Sequence, residues 1–407
     1  VYMTSYPRIG SGLQREQARE WLYHSPEDIL TKASDGASDF GNKFGQPLIC
    51  GSLLCFEHIG SAHRFGYDKV IMLAGGIGFA RLKDALKEKP RKGDKIVLLG
   101  GDNYRIGMGG GAVSSVDTGQ YGHVIELNAV QRSNPEMQKR VYNAIRALAE
   151  NDVNPVISIH DHGAGGHLNC LSELVDEAGG KVDIDQLPLG DPTLSAKEII
   201  GNESQERMGL VMAPADIPLL QDIAARERAP MYVIGEITGD GRFTFESSRT
   251  GEKAIDLALK DMFGSVPRTL MEDVTDDPVF ESFSCEQDNA ALKDYAEKVM
   301  QLESVACKDW LTNKVDRSVT GWVAGQQCVG ESQLPLNDYG LTAIGYVPSS
   351  KGFSGIVASL GHAPVPGLID PAAGSRLAIS EALTNLVFVR LENGLREADA
   401  ALMIGDP

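Results

Sequence analysis

The 407-residue sequence lacks most of the features that assign a chain to a common class at sight. It contains no apolar run near the roughly 18 residues that cross a bilayer, and no signal-peptide pattern. Its six cysteines are too sparse for a disulfide scaffold and form no C-x-x-C pair, so we expect free thiols in a reducing, cytoplasmic setting. Nucleophile-elbow, P-loop and HExxH motifs are also missing, which excludes several hydrolase and nucleotide-binding classes.

Positive charge is scarce as well. Lysine and arginine number 38 against 56 aspartates and glutamates, which gives a formal net charge of -18. The field of such a surface repels phosphate polymers, so general binding to nucleic acid or to anionic membranes is not expected. A small phosphorylated ligand is still compatible with this charge, because backbone N–H groups and Mg2+ can hold phosphate.

Glycine, by contrast, is abundant, with 45 residues, or about 11% against a usual ~7%. Clusters of glycine lie at residues 75–78, 107–111 and 163–166. Such clusters form tight turns or let backbone N–H groups approach a phosphate. Gly107-x-Gly109-x-x-Ala112 formally fits a dinucleotide fingerprint with Glu126 downstream, but later glycines interrupt the helix that this site needs. We therefore expect a phosphate-facing or interface loop here, with a purely structural turn as the alternative.

Hydrophobic periodicity indicates an α/β chain whose clearest elements lie in the centre. Asn134-Pro135 is an N-cap followed by Pro at the first helical position, and apolar residues then recur at helical spacing. The helix that carries Leu168 to Val175 is expected to end at Gly179-Gly180, and Asp370-Pro371 to open a helix through about residue 391. A further helix is predicted over 217–226, a charged linker over 87–94, and strands over 95–99, 156–160, 209–212, 231–237 and 242–245.

The segment His160–His167, HDHGAGGH, leaves a predicted strand, turns on glycines and enters a helix. That arrangement aims helix N–H groups at an anion, and Asp161 is suited to bind Mg2+ that bridges phosphate oxygens. His160 and His162 would point to the same side of an extended strand, so a zinc hydrolase with His167 as the third ligand is an alternative. Structural polar groups are the other alternative.

Two further patterns are candidates for polar chemistry. Residues 202–207, NESQER, concentrate hydrogen-bonding side chains just before a strand, which predicts either a polar substrate shelf or a solvated turn. Glu381 and Asn385 lie at i and i+4 of the predicted helix after Asp370, so their oxygens share one face. Carboxylate and amide oxygens suit a hard cation such as Mg2+, although a surface helix can show this pair by chance.

Eight short segments resemble the large, single-chain form of the phosphoribosylformylglycinamidine synthase (formylglycinamide ribonucleotide amidotransferase) family. They are MLAGGIG at 72–78, GMGGGAVSS at 107–115, VQRSNPEM at 130–137, HDHGAGG at 160–166, NESQER at 202–207, RERAP at 226–230, DRSVTG at 316–321 and EALTN at 381–385. Each segment is weak alone, and their shared order along nearly the whole chain carries the resemblance. His162 departs from the family's pattern, so no role is inherited for it.

The resemblance implies an α/β (α+β) fold of aminoimidazole ribonucleotide synthetase-like domains, with one complete C-type domain flanked by two partial N-type domains. The expected parts are the later first N-type domain over 1–92, the C-type domain over 93–265, a connector over 266–313 and the opening of the second N-type domain over 314–407.

The resemblance also implies an ATP-dependent carbon–nitrogen ligase of purine biosynthesis. ATP activates the amide oxygen of formylglycinamide ribonucleotide, and ammonia from a glutaminase domain that this sequence does not contain displaces the phosphate. Because the sequence looks like the central fragment of such an enzyme, we expect it to be inactive alone. A related ATP-dependent synthetase of the same superfamily and a non-catalytic scaffold are alternatives.

The site residues that the resemblance implies form three groups. Substrate contacts are expected from Gln131, Glu203, Ser204 and Gln205. Nucleotide contacts are expected from Cys50, Gly51, Ser52 and Asn337, with Cys50 departing from the family's usual residue. Mg2+ ligands are expected at Asp161 and, in an auxiliary structural site that holds ADP, at Asp338, Glu381 and Asn385.

Overall fold

The computed structural model describes two compact units, Gly78–Met271 and Val1–Ile77 with Glu272–Pro407. Its described residues are 32–33, 35–38, 41, 44–46, 50–53, 57–59, 64–66, 72–75 and 81–392, the last range with gaps at 115, 117–119, 130–133, 176–177, 205, 266, 271, 273–283, 285–287, 301–317 and 346–351. Within these residues, every helix is too short or too polar to cross a membrane.

Both units contain strands and helices. The strands are β1 (Cys50–Leu53), β2 (Glu57–Ile59), β3 (Arg64–Gly66), β4 (Met72–Gly75), β5 (Lys95–Leu99), β6 (Val156–Asp161), β7 (Gly180–Asp183), β8 (Met208–Met212), β9 (Met231–Ile237), β10 (Arg242–Glu246), β11 (Lys253–Ala258), β12 (Val323–Gly325), β13 (Cys328–Val329), β14 (Leu334–Pro335), β15 (Tyr339–Ala343) and β16 (Gly355–Ser359). The helices are α1 (Gly110–Ser114), α2 (His123–Asn128), α3 (Pro135–Ala149), α4 (Gly166–Val175), α5 (Ala196–Ile200), α6 (Ile217–Glu227), α7 (Leu259–Met262), α8 (Asn289–Val299), α9 (Pro364–Ile369) and α10 (Pro371–Asn385).

A seven-stranded sheet forms the centre of the unit Gly78–Met271, in the order β11-β10-β7-β9-β5-β8-β6. Neighbouring strands are antiparallel except for β7 and β10. Alternate residues of β5 face opposite sides of the sheet, so Ile96 and Leu98 join one buried cluster while Val97 and Leu99 join the other. Helix α4 contributes to the first cluster, and α3 and α6 contribute to the second. Burial on both faces explains the continuous apolar run of β5.

Helix α3 begins as the sequence predicts. The side chain of Asn134 accepts a hydrogen bond from Met137 N at 3.1 Å, and Pro135 occupies the first turn. Val141 and Leu148 are buried on the face that packs on the sheet. The predicted strands over 95–99 and 231–237 have the bounds of β5 and β9.

Of the two glycines predicted to stop helix α4, Gly179 has the left-handed backbone conformation (φ 79°) that such a stop uses, whereas Gly180 belongs to the next strand. Helix α4 ends at Val175, and Gly180 opens β7. Glycine is needed there for close packing, because a Cβ on Gly180 would lie 2.7 Å from Cγ1 of Val175. Strand β7 and strand β11 have no counterpart in the sequence prediction.

The charged segment 87–94 is part of the sheet's margin and not a free linker. Glu88 N donates to Ile157 O at 2.8 Å, and Gly93 N donates to Ile237 O at 2.9 Å. Arg91 N donates to Oδ2 of Asp94 at 2.7 Å, which closes the turn before β5. The charges and the proline of this segment indicated a break in periodicity. The backbone hydrogen bonds to distant strands could not be predicted, because no local sequence pattern encodes them.

In the other unit, β1 pairs with β4, and β12, β15 and β16 form an antiparallel sheet. Asp370 caps α10 as predicted, because its Oδ1 accepts from Ala372 N at 2.9 Å and Ala373 N at 3.0 Å. The helix ends at Asn385 and not near residue 391. The following residues turn more tightly, with Val387 N donating to Thr384 O, three residues back.

Candidate functional site

Three of the predicted segments leave the central sheet at the same end. Met208, the first residue of β8, pairs with Leu99 at the end of β5 and with Asp161 at the end of β6. The loops that follow β5 and β6, and the segment that precedes β8, therefore start from one row of the sheet. They contain the RIGMGGG, HDHGAGG and NESQER motifs.

Glu203 joins these three segments. Its Oε1 accepts hydrogen bonds from Gly111 N at 3.3 Å and from Gly165 N at 3.0 Å. Its own backbone N donates to Gly107 O at 2.7 Å. Glu203 is only 1% exposed. A carboxylate predicted to touch substrate is thus buried between two glycine-rich loops.

Asn202 and Arg207 fix the NESQER segment through further hydrogen bonds. Nδ2 of Asn202 donates to Tyr104 O at 2.7 Å and to Ile106 O at 2.8 Å. The guanidinium of Arg207 donates to Oδ1 of Asn202 and, at 2.5 Å, to Oδ1 of Asn103. All three side chains are essentially inaccessible to solvent. The sequence analysis named this segment but not Asn103, since nothing local distinguishes that asparagine from a solvated one.

His162 and His167 extend this buried polar network. Nε2 of His162 lies 2.9 Å from Nδ1 of His167, and Nη1 of Arg207 lies 2.7 Å from Nε2 of His167. Nε2 of His167 also lies 3.0 Å from Oδ1 of Asn103, which accepts a hydrogen bond from Arg207. Burial, and next the positive charge of Arg207, hold the pKa of both histidines well below the ordinary value. Both rings are therefore neutral.

The zinc alternative is wrong on this geometry. The ring of His160 contacts Glu173, with Nε2 2.7 Å from Oε2, while His162 and His167 lie fully buried against each other. Strand β6 ends at Asp161, so the period-2 rule that would place His160 and His162 on one side no longer applies. In the part of the chain that the structure describes, no group of three or more His, Cys, Asp or Glu side chains is arranged to hold a metal ion.

Asp161 lies at the end of β6 with its side chain 67% exposed. Its Oδ1 accepts from Gly163 N at 3.0 Å, which holds the carboxylate over the glycine turn. An exposed carboxylate at a strand end suits a hard cation, so the residue fits the Mg2+ role that the sequence predicts.

The other predicted substrate contacts differ in accessibility. Ser204 is 1% exposed, and its hydroxyl donates to Oε2 of Glu206. Its backbone N donates to His162 O at 3.1 Å, which ties the NESQER and HDHGAGG segments together a second time. Gln131 and Gln205 lie outside the described residues.

The dinucleotide fingerprint at Gly107 does not belong to a Rossmann site. That site needs parallel strands on either side of the phosphate loop, whereas β5 is flanked by β8 and β9, both antiparallel to it. Glu126 lies in α2, where its Oε1 accepts from Tyr121 N at 3.3 Å.

In the other unit, Glu381 and Asn385 contact the loop that follows β16. Oε2 of Glu381 accepts from His362 N at 2.9 Å, and Nδ2 of Asn385 donates to Leu360 O at 2.9 Å. The amide nitrogen is thus engaged, so Oδ1 of Asn385 is the atom that a cation would bind. Burial lowers the pKa of His362 beside this pair.

The remaining predicted nucleotide and metal contacts lie on strands or in loops of the same unit. Nδ2 of Asn337 donates to Gln326 O at 2.8 Å, and Asp338 beside it is exposed. Cys50, Gly51 and Ser52 belong to β1, where Cys50 pairs with Gly75 of β4.

Comparisons with known proteins identify two regions of the chain. Residues 91–247 match the family described as AIR synthase related protein, C-terminal domain. Residues 307–401 match the FGAR-AT PurM_N-like domain. The chain has an AIR synthase-like α/β fold. The predicted fold class is therefore confirmed, while the domain boundaries drawn from the sequence stay predictions.

The chain is 39% identical over 387 residues to phosphoribosylformylglycinamidine synthase of Drosophila melanogaster, with 90% of this chain and 28% of the relative covered. The human protein of the same name is 40% identical over 381 residues, with 89% and 28% covered. The predicted resemblance to this family is thus confirmed. The chain spans less than a third of the length of these relatives.

Solved structures of Thermotoga maritima PurL are similar to the chain in fold. The complex with FGAR superposes with a TM-score of 0.59 at 21% identity, covering 88% of this chain and 53% of that one. The complex with ATP gives a TM-score of 0.57 at 21% identity, covering 86% and 50%.

Proposed function

We propose that the chain forms part of an ATP- and glutamine-dependent carbon–nitrogen ligase that converts formylglycinamide ribonucleotide to formylglycinamidine ribonucleotide. The observation that carries this proposal is the convergence of the RIGMGGG, HDHGAGG and NESQER segments at one end of the central sheet. These are segments on which the resemblance to the synthases rests. The substrate and nucleotide of the PurL complexes and the names of the curated relatives support the same assignment.

In this reaction the amide oxygen of the substrate attacks the γ-phosphorus of ATP, ADP leaves, and ammonia then displaces the phosphate from carbon. The ammonia would come from a glutaminase domain. The part of the protein is to position the reactants and to stabilise the charge that develops on the phosphoryl oxygens. At the end of the central sheet, the exposed carboxylate of Asp161 is the group placed for that purpose.

Asp161 would hold Mg2+ at this end of the sheet. When bound, Mg2+ neutralises phosphate oxygens of the nucleotide. Ser204, Gln205 and Gln131 would contact the substrate. In the other unit, Asp338, Glu381 and Asn385 would hold a second, structural Mg2+ for ADP, next to Asn337. Cys50, Gly51 and Ser52 would contact nucleotide.

The proposed compartment is the cytoplasm, where free thiols persist. Among the described residues, Cys170 and Cys328 are buried and free, which is consistent with this proposal.

Titration calorimetry of the full chain with formylglycinamide ribonucleotide, and with ATP at several Mg2+ concentrations, tests the function. We expect Asp161→Asn to weaken Mg2+-dependent ATP binding about tenfold or more, because a charged ligand becomes neutral. Asp216→Asn is the matched control, since Asp216 follows the far end of β8. Binding of neither ligand to the wild-type chain, or an equal loss in both variants, would contradict the proposal.

A further inference from the structure

The carboxylate of Glu203 occupies a position where glycine-rich loops commonly hold a ligand anion. Gly111 N and Gly165 N both point at its Oε1, at 3.3 Å and 3.0 Å. The two amides lie 92 and 38 residues away from Glu203 in the sequence. One oxygen thus joins a loop that follows β5 to a loop that follows β6. Hydrogen bonds of N–H groups to an ionised oxygen are stronger than those to a neutral one.

The glycines around Glu203 pack so closely against it that a side chain at their positions would clash with it. A Cβ on Gly110 would lie 2.5 Å from Oε2 of Glu203, and a Cβ on Gly107 would lie 2.2 Å from its backbone oxygen. Real Cβ atoms do not approach other atoms so closely, so these positions tolerate no larger residue without movement of the segment. Part of the glycine cluster at 107–111 is therefore explained by its packing around this carboxylate.

We infer that Glu203 is a positioning residue that holds both glycine-rich loops in place for the substrate, and that it does not itself touch the substrate. This inference rests on the proposed function for the identity of the ligand. Glu203 is only 1% exposed, whereas the carboxylate of Asp161, at the same end of the sheet, is two-thirds exposed. The N–H groups of Gly111 and Gly165 are engaged by the protein, so a phosphate bound here must use other donors.

Two substitutions of similar length separate the acceptor from the volume of the side chain. Glu203→Met removes both oxygens, whereas Glu203→Gln keeps one oxygen that can accept from both amides. If the side chain of Glu203 only filled space, the two variants would have the same effect on the loops. Glu173→Gln is the control, since it removes one negative charge near β6, where the carboxylate of Glu173 contacts the ring of His160.

Hydrogen exchange of the full chain, read by mass spectrometry on peptides spanning 107–114 and 163–168, tests the contact without any need for activity. We expect exchange in both peptides to speed up about tenfold or more in Glu203→Met, less in Glu203→Gln, and not in Glu173→Gln. Tenfold corresponds to about 1.4 kcal/mol. Circular dichroism identifies a variant that fails to fold. If Glu203→Met does not fold, the exchange rates of Glu203→Gln, whose side chain has the same volume as the native one, are compared with those of the wild type instead.

Calorimetry with formylglycinamide ribonucleotide on the same proteins tests the consequence. The dissociation constant should rise in the order wild type, Gln, Met, in step with the loss of loop protection. Protection of either loop in Glu203→Met at the wild-type level overturns the inference, and so does unchanged affinity when both loops have lost protection. If the wild-type chain does not bind the ribonucleotide, the proposed function fails, while the exchange data still decide whether Glu203 holds the two loops.

Discussion

The buried histidine pair makes the stability of the central sheet sensitive to mild acid. Burial and the charge of Arg207 hold the pKa of His162 and of His167 well below the value in the unfolded chain. At acid pH the unfolded chain therefore binds more protons than the folded chain, and the free energy of unfolding falls as the pH drops below about 6.5. Above that pH both states are neutral at these rings, and the effect vanishes.

The size of this fall in the free energy of unfolding follows from the two histidine rings alone. Between about pH 7.5 and about pH 5.5, one histidine that stays neutral in the folded state lowers the free energy of unfolding by about 1.4 kcal/mol. Two such histidines lower it by about 2.7 kcal/mol, a large part of the usual stability of a domain. Carboxylates titrate mostly below this window, near pH 4, so their contribution is small.

Urea-dependent hydrogen exchange of peptides from β5 and β8 measures this free energy. Tryptophan fluorescence is unsuitable, since Trp21, Trp310 and Trp322 all lie outside Gly78–Met271. The double variant His162→Gln, His167→Gln should lose the pH dependence even if it is less stable throughout, because the slope and not the absolute value reports on the rings. A slope that persists unchanged in the double variant would refute the reasoning.

Three further outcomes follow from packing and capping. Gly235→Ala should destabilise the sheet by about 1–3 kcal/mol, because its Cβ would lie 2.1 Å from Lys181 O, whereas Gly122→Ala, with no atom within 4 Å of its Cβ, should be near neutral in thermal unfolding. Asn134→Ala should cost about 1 kcal/mol through loss of the α3 cap, measured by urea unfolding at neutral pH. Burial raises the pKa of the Cys170 thiol, so alkylation followed by mass spectrometry should be much slower in the folded chain than in urea; equal rates would contradict this.

Local signals predicted the elements that local chemistry determines. The Asn134-Pro135 pair located the start of α3, and the apolar run from Met231 to Ile237 located β9, because caps and periodicity are encoded within a few residues. Strands β7 and β11 were missed because their stability comes from neighbours. β7 is four residues with two charges, and β11 borders the sheet beside β10.

The candidate site was predictable in outline and not in its contacts. Strand ends followed by glycine turns located Asp161, and the density of polar residues located the NESQER segment. Which of those side chains are buried depends on partners such as Asn103 and Gly111, which are about a hundred residues away. No spacing rule along the chain reports such a contact.

The burial of the polar segment before β8 supports the proposal that this end of the sheet is the functional one. Asn202, Glu203, Ser204, Glu206 and Arg207 are each at most 1% exposed. Burying so many polar groups costs free energy unless each finds a partner, and apolar residues would stabilise the same volume more cheaply. Asn202 and Glu203 bond to the backbone of the two segments that follow β5 and β6, while Ser204 and Arg207 bond to other side chains of the network. These hydrogen bonds add little to the apolar core and much to the placement of those two segments. Places where a buried polar network replaces apolar packing, against the usual rules for stability, are where function is expected. In the proposed function, Asp161 at the end of β6 would hold Mg2+ there, and the buried network beside it would keep the surrounding segments ordered before the nucleotide binds.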